Sequence, residues 1–266
     1  MIIKSLQNPR IKRVVRLRDR RERAREKAII VEGYRAILRA VENGYPLEEL
    51  YICPALYLGD NEPALIARAA DAGARIIEVT AGPFAKMAFR DRPEGLLAVA
   101  PLKQRPLLEH SPGEKGFYLI VEAIERPGNL GSIFRSADAA GVDGVIVCEA
   151  RTDIYDPAVV RASIGTIFSI PVLEATSCEA LVWCRENGLR TVAATPQADT
   201  LYTDVDMRLR TALVLGTEKV GLSETWMAGA DVRARIPMFG QADSLNVATA
   251  ATLLLYEVVR QRQLPS

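Results

Sequence analysis

The chain has 266 residues, enough for one large domain or two ordinary ones that each bury a core. Hydrophobic residues make up 49% and charged residues 25% of it, which is typical of a globular protein. No apolar run approaches the roughly 20 residues of a membrane-spanning helix, and the start, MIIKSLQNPRIKR, lacks the apolar segment of a secretory signal. We therefore expect a cytoplasmic protein without membrane contact.

The first 27 residues are strongly basic. They contain eleven Lys or Arg and three Asp or Glu, a balance of +8, whereas the remaining chain carries −7. Read as one helix, PRIKRVVRLRDRRERAREK turns one side toward a core through Ile11, Val14, Val15 and Leu17. The other side would present arginines free to meet phosphates: Arg13, Arg16, Arg20 and Arg23. A merely solvated face is the alternative, which the interleaved acidic residues support. The acidity of the rest of the chain favours nucleic-acid contact.

Residues 28 to 100 alternate strand-like and helix-like stretches. The strand-like stretches are AIIVEG, LEELYIC, ARIIEV and GLLAVA, and YRAILRAVENG and ALIARAADAG between them are helix-like. This pattern predicts an α/β layer arrangement. A segment rich in Pro and Gly follows, so we predict an N-terminal domain over 1–103, a linker over 104–116 and a second α/β domain over 117–266.

Cysteine and histidine usage argues against metal or histidine chemistry. Cys53, Cys148, Cys178 and Cys184 are scattered without a Cys-x-x-Cys spacing, and His110 is the only histidine. Free thiols, no metal site and no Ser-His-Asp triad are expected.

Three motifs follow apolar strands of the second domain, where α/β sheets normally bind ligands. The first, ERPGNLGSIFRSADAAGV, follows the strand FYLIVEAI. Its glycines free the backbone around Asn129, and Arg135 lies about one turn into the next helix. These two side chains are placed to grip a phosphate or a ribose edge. An ordinary βα turn with a surface arginine is the alternative.

The second motif is LVLGTEKVGLS. Gly216 ends the strand, Glu218 supplies the only carboxylate of a glycine-rich loop, and Gly221 and Ser223 open the next helix. Neither a G-x-G-x-x-G fingerprint nor a P-loop is present. Taken alone, the motif is better explained as a tight loop whose glutamate caps the helix.

The third motif is IPMFGQADSLNVATAATLLLYE. Gly240 permits a close turn, Asp243 or Ser244 can cap the following helix, and apolar residues leave that helix almost no polar face. The segment predicts either a ligand-binding loop or a well-capped core helix.

Together, the ordered motifs closely resemble the SpoU/TrmH family of RNA ribose 2′-O-methyltransferases, within the SPOUT superfamily. The resemblance spans roughly residues 117 to 262, and residues 1–103 are similar to a smaller N-terminal α/β RNA-binding domain of many members. It implies a parallel sheet with a deep trefoil knot, an exception to the rule that chains avoid knots. It also implies S-adenosyl-L-methionine as cofactor and a homodimer that completes the active site.

Site residues carried over from the resemblance fall into two sets. The implied cofactor contacts are Gly216, Ile236 and Leu245, mostly through backbone groups, with Thr195, Met238 and Asn246 nearby. The implied catalytic residues are Asn129, Arg135, Glu218, Ser244 and Asn246. Arg135 is either a base with a lowered pKa or a holder of phosphate and developing alkoxide, and an arginine normally stays protonated.

The resulting expectation is an RNA ribose 2′-O-methyltransferase acting on structured RNA. Ribosomal RNA is preferred to transfer RNA because a separate N-terminal domain suits an extended substrate. A transfer-RNA enzyme and a non-catalytic RNA-binding or ribosome-assembly protein on the same fold remain alternatives. A nucleotide-dependent oxidoreductase is disfavoured by the missing glycine fingerprint. The sequence does not identify the target nucleotide or decide between a housekeeping role and antibiotic resistance.

Overall fold

The computed structural model describes residues 2–217 and 219–263. Its contacts divide the chain into two compact units. The first comprises the described residues up to Lys103 together with Asp153–Ser169, and the second comprises Gln104–Thr152 and the described residues from Ile170 onward. Asp153–Ser169 thus groups with the first unit, although its place in the chain falls inside the predicted second domain. The domain boundaries themselves stay a prediction.

Eleven strands and ten α-helices, besides four short 3-10 helices, occur in these ranges. The strands are β1 (Ile2–Ile3), β2 (Ala28–Glu32), β3 (Glu49–Ile52), β4 (Arg75–Val79), β5 (Leu96–Pro101), β6 (Phe117–Glu122), β7 (Gly144–Cys148), β8 (Val172–Ala175), β9 (Arg190–Ala194), β10 (Thr211–Leu215) and β11 (Val232–Ala234). The helices are α1 (Pro9–Arg16), α2 (Arg20–Glu26), α3 (Tyr34–Glu42), α4 (Glu62–Asp71), α5 (Ala81–Met87), α6 (Pro127–Ala140), α7 (Pro157–Ala162), α8 (Ser177–Glu186), α9 (Glu224–Gly229) and α10 (Val247–Gln263). Across the part of the chain described, no helix combines the length and apolar character that crossing a membrane requires.

The first unit is built on a five-stranded mixed sheet in the order β1-β4-β3-β5-β2. Strand β5 runs antiparallel to both of its neighbours, and the other pairs are parallel. Strand β2 is buried along its whole length, as its continuous apolar run predicts. The predicted alternation of strands and helices is confirmed here.

The basic N-terminal run forms two helices, not the single helix expected. The chain leaves α1 at Leu17, and Asp19 begins α2 by accepting a hydrogen bond from the backbone N–H of Arg21 at 2.7 Å. Ile11 and Leu17 lie in the core as predicted. The break arises because an aspartate is a strong N-cap residue and competes with helix continuation.

The expectation of free arginines on this run is mostly wrong. Arg23 is only 1% exposed and donates to Asp153 through Nε at 3.0 Å. Arg13 pairs with Glu26 at 2.8 Å, and Arg16 pairs with the same residue at 3.5 Å. Folding brings carboxylates onto three of the four arginines expected to be free, so these three are not available to phosphates.

The second unit contains a six-stranded, entirely parallel sheet in the order β11-β9-β10-β6-β7-β8. All residues of β6, β7 and β10 are buried, which is typical of a parallel sheet covered on both faces. Because parallel strands end at the same edge, the three motifs predicted from the sequence emerge on one side of this sheet.

Candidate active site

A cavity of about 380 Å³ lies at the carboxyl ends of β9, β10 and β11. This volume falls in the range of about 300–1,000 Å³ that is usual for small-molecule sites. Its walls come from residues 194–197, 215–217, 219–221 and 243–245, from Ala234, Ile236 and Met238, and from Val247 and Ala250 of α10. Five of the six predicted cofactor contacts line it: Thr195, Gly216, Ile236, Met238 and Leu245.

Gly216 occupies a position that admits no side chain. A Cβ built there would meet the backbone oxygen of Gly221 at 2.2 Å. The two strands of this loop are tied by reciprocal backbone hydrogen bonds of 3.1 Å between Thr217 and Gly221, and Gly221 has a φ of +71°. Glycine at 216 therefore lets the loop fold back on itself beside the cavity.

Asn246 begins α10 and also contacts another motif. Its Oδ1 accepts a hydrogen bond from the backbone N–H of Ala248 at 3.0 Å, and its Nδ2 donates to Oδ1 of Asn129 at 3.1 Å. The expectation that Asp243 or Ser244 caps this helix is therefore wrong, because the helix begins later. Both of those residues instead line the cavity.

Helix α6 carries Arg135 next to the contact between α6 and α10. The neighbouring Ser136 hydroxyl lies 2.7 Å from the hydroxyl of Thr252, which joins the two helices. Arg135 itself is exposed, and over residues 2–217 and 219–263 no carboxylate pairs with it. Its guanidinium is thus presented to solvent on the helix that also carries Asn129.

The structure therefore brings together Asn129, Asn246 and the cavity-lining residues Ser244, Gly216 and Leu245. Arg135 shares α6 with Asn129 but does not line the cavity. Glu218, the remaining predicted catalytic residue, lies outside the described residues. The roles assigned to all these side chains stay predictions.

Glu122 was not singled out from the sequence, yet it organises the loop region. It ends β6, is 3% exposed, and accepts hydrogen bonds at 2.7 Å from both the backbone N–H and the hydroxyl of Ser223. The Ser177 hydroxyl donates to the same carboxylate. A charged residue at the end of an otherwise apolar strand was the available signal, because buried carboxylates require hydrogen-bond donors.

Comparison with known families agrees with this geometry. The model of the SpoU rRNA methylase family matches residues 116–256, and the model of an MRM3-like substrate-binding domain matches residues 8–98. The chain belongs to the SpoU rRNA methylase family. The resemblance drawn from the three motifs is confirmed.

Individual relatives match over nearly the whole chain. The 23S rRNA (uridine(2479)-2′-O)-methyltransferase of Streptomyces viridochromogenes is 36% identical over 92% of this chain and 87% of its own. A crystal structure of an RNA 2′-O ribose methyltransferase superposes with a TM-score of 0.87 at 40% identity, covering 99% of this chain and 100% of that one. The crystal structure of the AdoMet-bound rRNA methyltransferase from Sinorhizobium meliloti superposes with a TM-score of 0.90 at 29% identity, covering 100% of this chain and 99% of that one.

Proposed function

We propose that this protein is an S-adenosylmethionine-dependent RNA ribose 2′-O-methyltransferase whose substrate is ribosomal RNA. The observation that carries the proposal is the convergence of three distant motifs. Gly216 and Leu245 line one cavity, and the residue after Leu245 is hydrogen-bonded to Asn129. The named activities of the relatives, which act on RNA 2′-hydroxyls, agree with it.

The cavity suits an adenosyl group. Apolar side chains of Ile236, Met238 and Leu245 line it beside the backbone of Gly216, where a Cβ would not fit. Such a mixture of apolar surface and backbone hydrogen-bonding groups fits a nucleoside with a flat base. S-adenosylmethionine supplies a methyl group already activated by its positive sulfur. The residues named here would hold it.

The protein's task is then to align and activate a ribose hydroxyl, which is a poor nucleophile. Arg135 stays protonated, holds the target phosphate and stabilises the incipient alkoxide, and the proton of the hydroxyl passes to solvent water as the oxygen takes the methyl group. Asn129 and Asn246, linked to each other, fix the entry of α6 and α10 around the hydroxyl. Ser244 and Glu218 complete the catalytic set.

Several finer features belong to the same proposal. Residues 1–103 form the RNA-binding domain, the C-terminal part of the second domain is threaded into a trefoil knot, and the enzyme acts as a cytoplasmic homodimer. The resemblance of the motifs supports the knot and the homodimer. The match of residues 8–98 to a substrate-binding domain supports the RNA-binding role, and relatives named for 23S rRNA support the cytoplasmic location.

Labelled S-adenosylmethionine provides the direct test. The protein is incubated with the labelled donor and total RNA, and the RNA is then hydrolysed with alkali. A 2′-O-methyl group blocks alkaline cleavage, so label must appear in an alkali-resistant dinucleotide. Label confined to mononucleotides would point to base methylation, and label in transfer RNA alone would overturn the ribosomal assignment.

A further inference from the structure

A second cavity, of about 420 Å³, lies within the first unit. Residues from α3, α4 and α7 and from the loops before α4 and β5 surround it, and they include Tyr34, Arg35, Leu58, Glu62, Arg90 and Arg161. A shallower hollow that shares Arg90 and Arg161 adds Asp91 and Arg92. The proposed transfer reaction uses none of these residues.

Several arginines at this cavity form no ion pair with a carboxylate of the described residues. Arg35, Arg92 and Arg161 are exposed, and across the described ranges none of them forms an ion pair. By contrast, Arg13 and Arg23 of the N-terminal run are bound to carboxylates. A phosphate approaching the first unit therefore meets uncompensated positive charge here.

The wall of the cavity holds a carboxylate with an unused oxygen. Glu62 is 4% exposed, and its Oε1 accepts hydrogen bonds of 3.2 Å from the backbone N–H groups of Leu58 and Gly59. Its Oε2 is buried and, within the described residues, accepts no hydrogen bond. Leaving such an acceptor unpaired costs about 1–3 kcal/mol, so a site of this kind favours a ligand that donates to it.

The neighbouring arginine of the cavity pairs with another carboxylate. Arg90 forms its ion pair with Glu94, and Glu94 also accepts from the backbone N–H of Tyr34 at 3.2 Å. The pair keeps the Tyr34 end of α3 in place at the cavity. The lining of the cavity thus combines the buried carboxylate of Glu62 with the exposed guanidinium groups of Arg35 and Arg161.

We infer that this cavity binds a guanine nucleotide of the RNA substrate, splayed out from a single-stranded stretch. Guanine presents two adjacent donors, N1–H and the N2 amino group, on its Watson–Crick edge, and an acceptor such as Oε2 of Glu62 complements them. The exposed guanidinium groups of Arg35 and Arg161 take the phosphate, and Tyr34 offers an aromatic surface to the base. The inference rests on the proposed function for the ligand being RNA.

Binding of short RNA oligomers to the full-length protein tests the inference. Fluorescence anisotropy at low salt compares labelled UUGUU, UUAUU and UUIUU, where inosine lacks the N2 amino group. UUGUU should bind at least about fivefold more tightly than UUAUU, with UUIUU between them. Equal affinity for all three oligomers would overturn the guanine assignment.

Variants separate base recognition from phosphate binding. Glu62→Gln should remove most of the preference for guanine while leaving binding of UUAUU unchanged. Arg35→Ala and Arg161→Ala should each weaken the binding of all three oligomers to the same degree. Each should also reduce the slope of log affinity against log salt concentration by about one. Arg68→Ala is the matched control, because this exposed arginine of α4 is already paired with Glu42 at 3.5 Å, and it should change neither the affinity nor its salt dependence.

Arg35→Ala and Arg161→Ala still test the inference if Glu62→Gln fails to fold. Both arginines are exposed and have no buried partners among the residues that the structure describes, so their removal should not disturb folding. Unchanged affinity and salt slope in both would overturn the inference. Methyl transfer is measured separately on the same variants. Methyl transfer to RNA by a protein that shows no preference for guanine would refute only the guanine site. Preferential binding of guanine without methyl transfer to any RNA would refute only the proposed enzymatic activity.

Discussion

The side-chain amide of Asn246 donates a hydrogen bond of 3.1 Å to Oδ1 of Asn129, across 117 positions of the chain. The same side chain caps α10 through the backbone N–H of Ala248. One residue therefore sets the start of a helix and fastens it to the first motif. These two functions are separable by substitution.

Asn246→Ala removes both contacts, whereas Asn246→Ser retains a good capping group that is too short to replace the bond to Asn129. The alanine variant should lose about 1 kcal/mol of unfolding free energy, and the serine variant only a few tenths. Both should lose methyl-transfer activity by at least about tenfold, since the alignment of α6 and α10 is relaxed. Urea denaturation and the labelled-donor assay measure the two effects. Full activity in the serine variant would show that the asparagine pair is dispensable.

Gly216→Ala should disable cofactor binding. The added Cβ would lie 2.2 Å from the oxygen of Gly221, and backbone on both sides of the loop would have to move. We expect the affinity for S-adenosylmethionine, measured by calorimetry, to fall at least about tenfold. Gly82→Ala is the control, because a Cβ at that helical position meets nothing within 4 Å. That substitution should stabilise the protein by about 0.4–1 kcal/mol. Wild-type affinity in Gly216→Ala would refute the placement of the cofactor.

The elements of the fold are largely predictable because their signals are local. The apolar runs of β2 and β6 and the periodic pattern of α3 need no knowledge of the rest of the chain. The mixed pairing of the first sheet is different, since it depends on the antiparallel course of β5. Nothing within the segment GLLAVA specifies that direction.

Residues of the second and third motifs line the cavity, but the sequence does not predict the contacts that they make. Local sequence suggests Asp243 or Ser244 as the cap of α10, but the helix begins later in the chain and Asn246 caps it. Charge pairing is equally non-local. Arg23 reads as a surface cation, yet its partner Asp153 lies 130 positions away.

Arg23 is a structural residue, and its removal should damage folding. Besides Asp153, its guanidinium donates to the backbone oxygens of Leu17 at 2.9 Å and Arg18 at 2.7 Å. Arg23→Ala leaves a nearly buried carboxylate and two carbonyls without their donor, so we expect a loss of about 3–5 kcal/mol in urea denaturation. Arg20→Ala, at an exposed position, should cost less than about 0.5 kcal/mol. Equal stability of the two variants would contradict the importance of the buried ion pair.

Glu32 should make stability depend on pH. Burial raises the pKa of this carboxyl above its ordinary value, although backbone N–H groups of Phe89 and Arg90 oppose the shift. The folded protein then binds the proton more tightly than the unfolded chain, so this group's contribution to stability decreases as the pH rises from 4.5 through the folded pKa. Glu32→Gln removes that titration. The stability of the wild type relative to the variant should therefore fall over this window. A constant difference from pH 4 to 7 in urea denaturation would contradict the shift.

Arg135→Ala should abolish methyl transfer while leaving the cofactor bound. Arg135 is exposed on α6 and does not line the cavity, so its loss should change the affinity for S-adenosylmethionine by less than about twofold. Transfer should fall at least about 100-fold if the guanidinium stabilises the developing alkoxide. Arg135→Lys keeps the positive charge but lacks the planar, bidentate guanidinium group, so its transfer rate should lie between those of Arg135→Ala and the wild type. Arg208→Ala is the control, because that exposed arginine pairs only with Asp206 among the described residues. Collapse of cofactor affinity in Arg135→Ala would place the residue in the cofactor site and refute its role at the RNA.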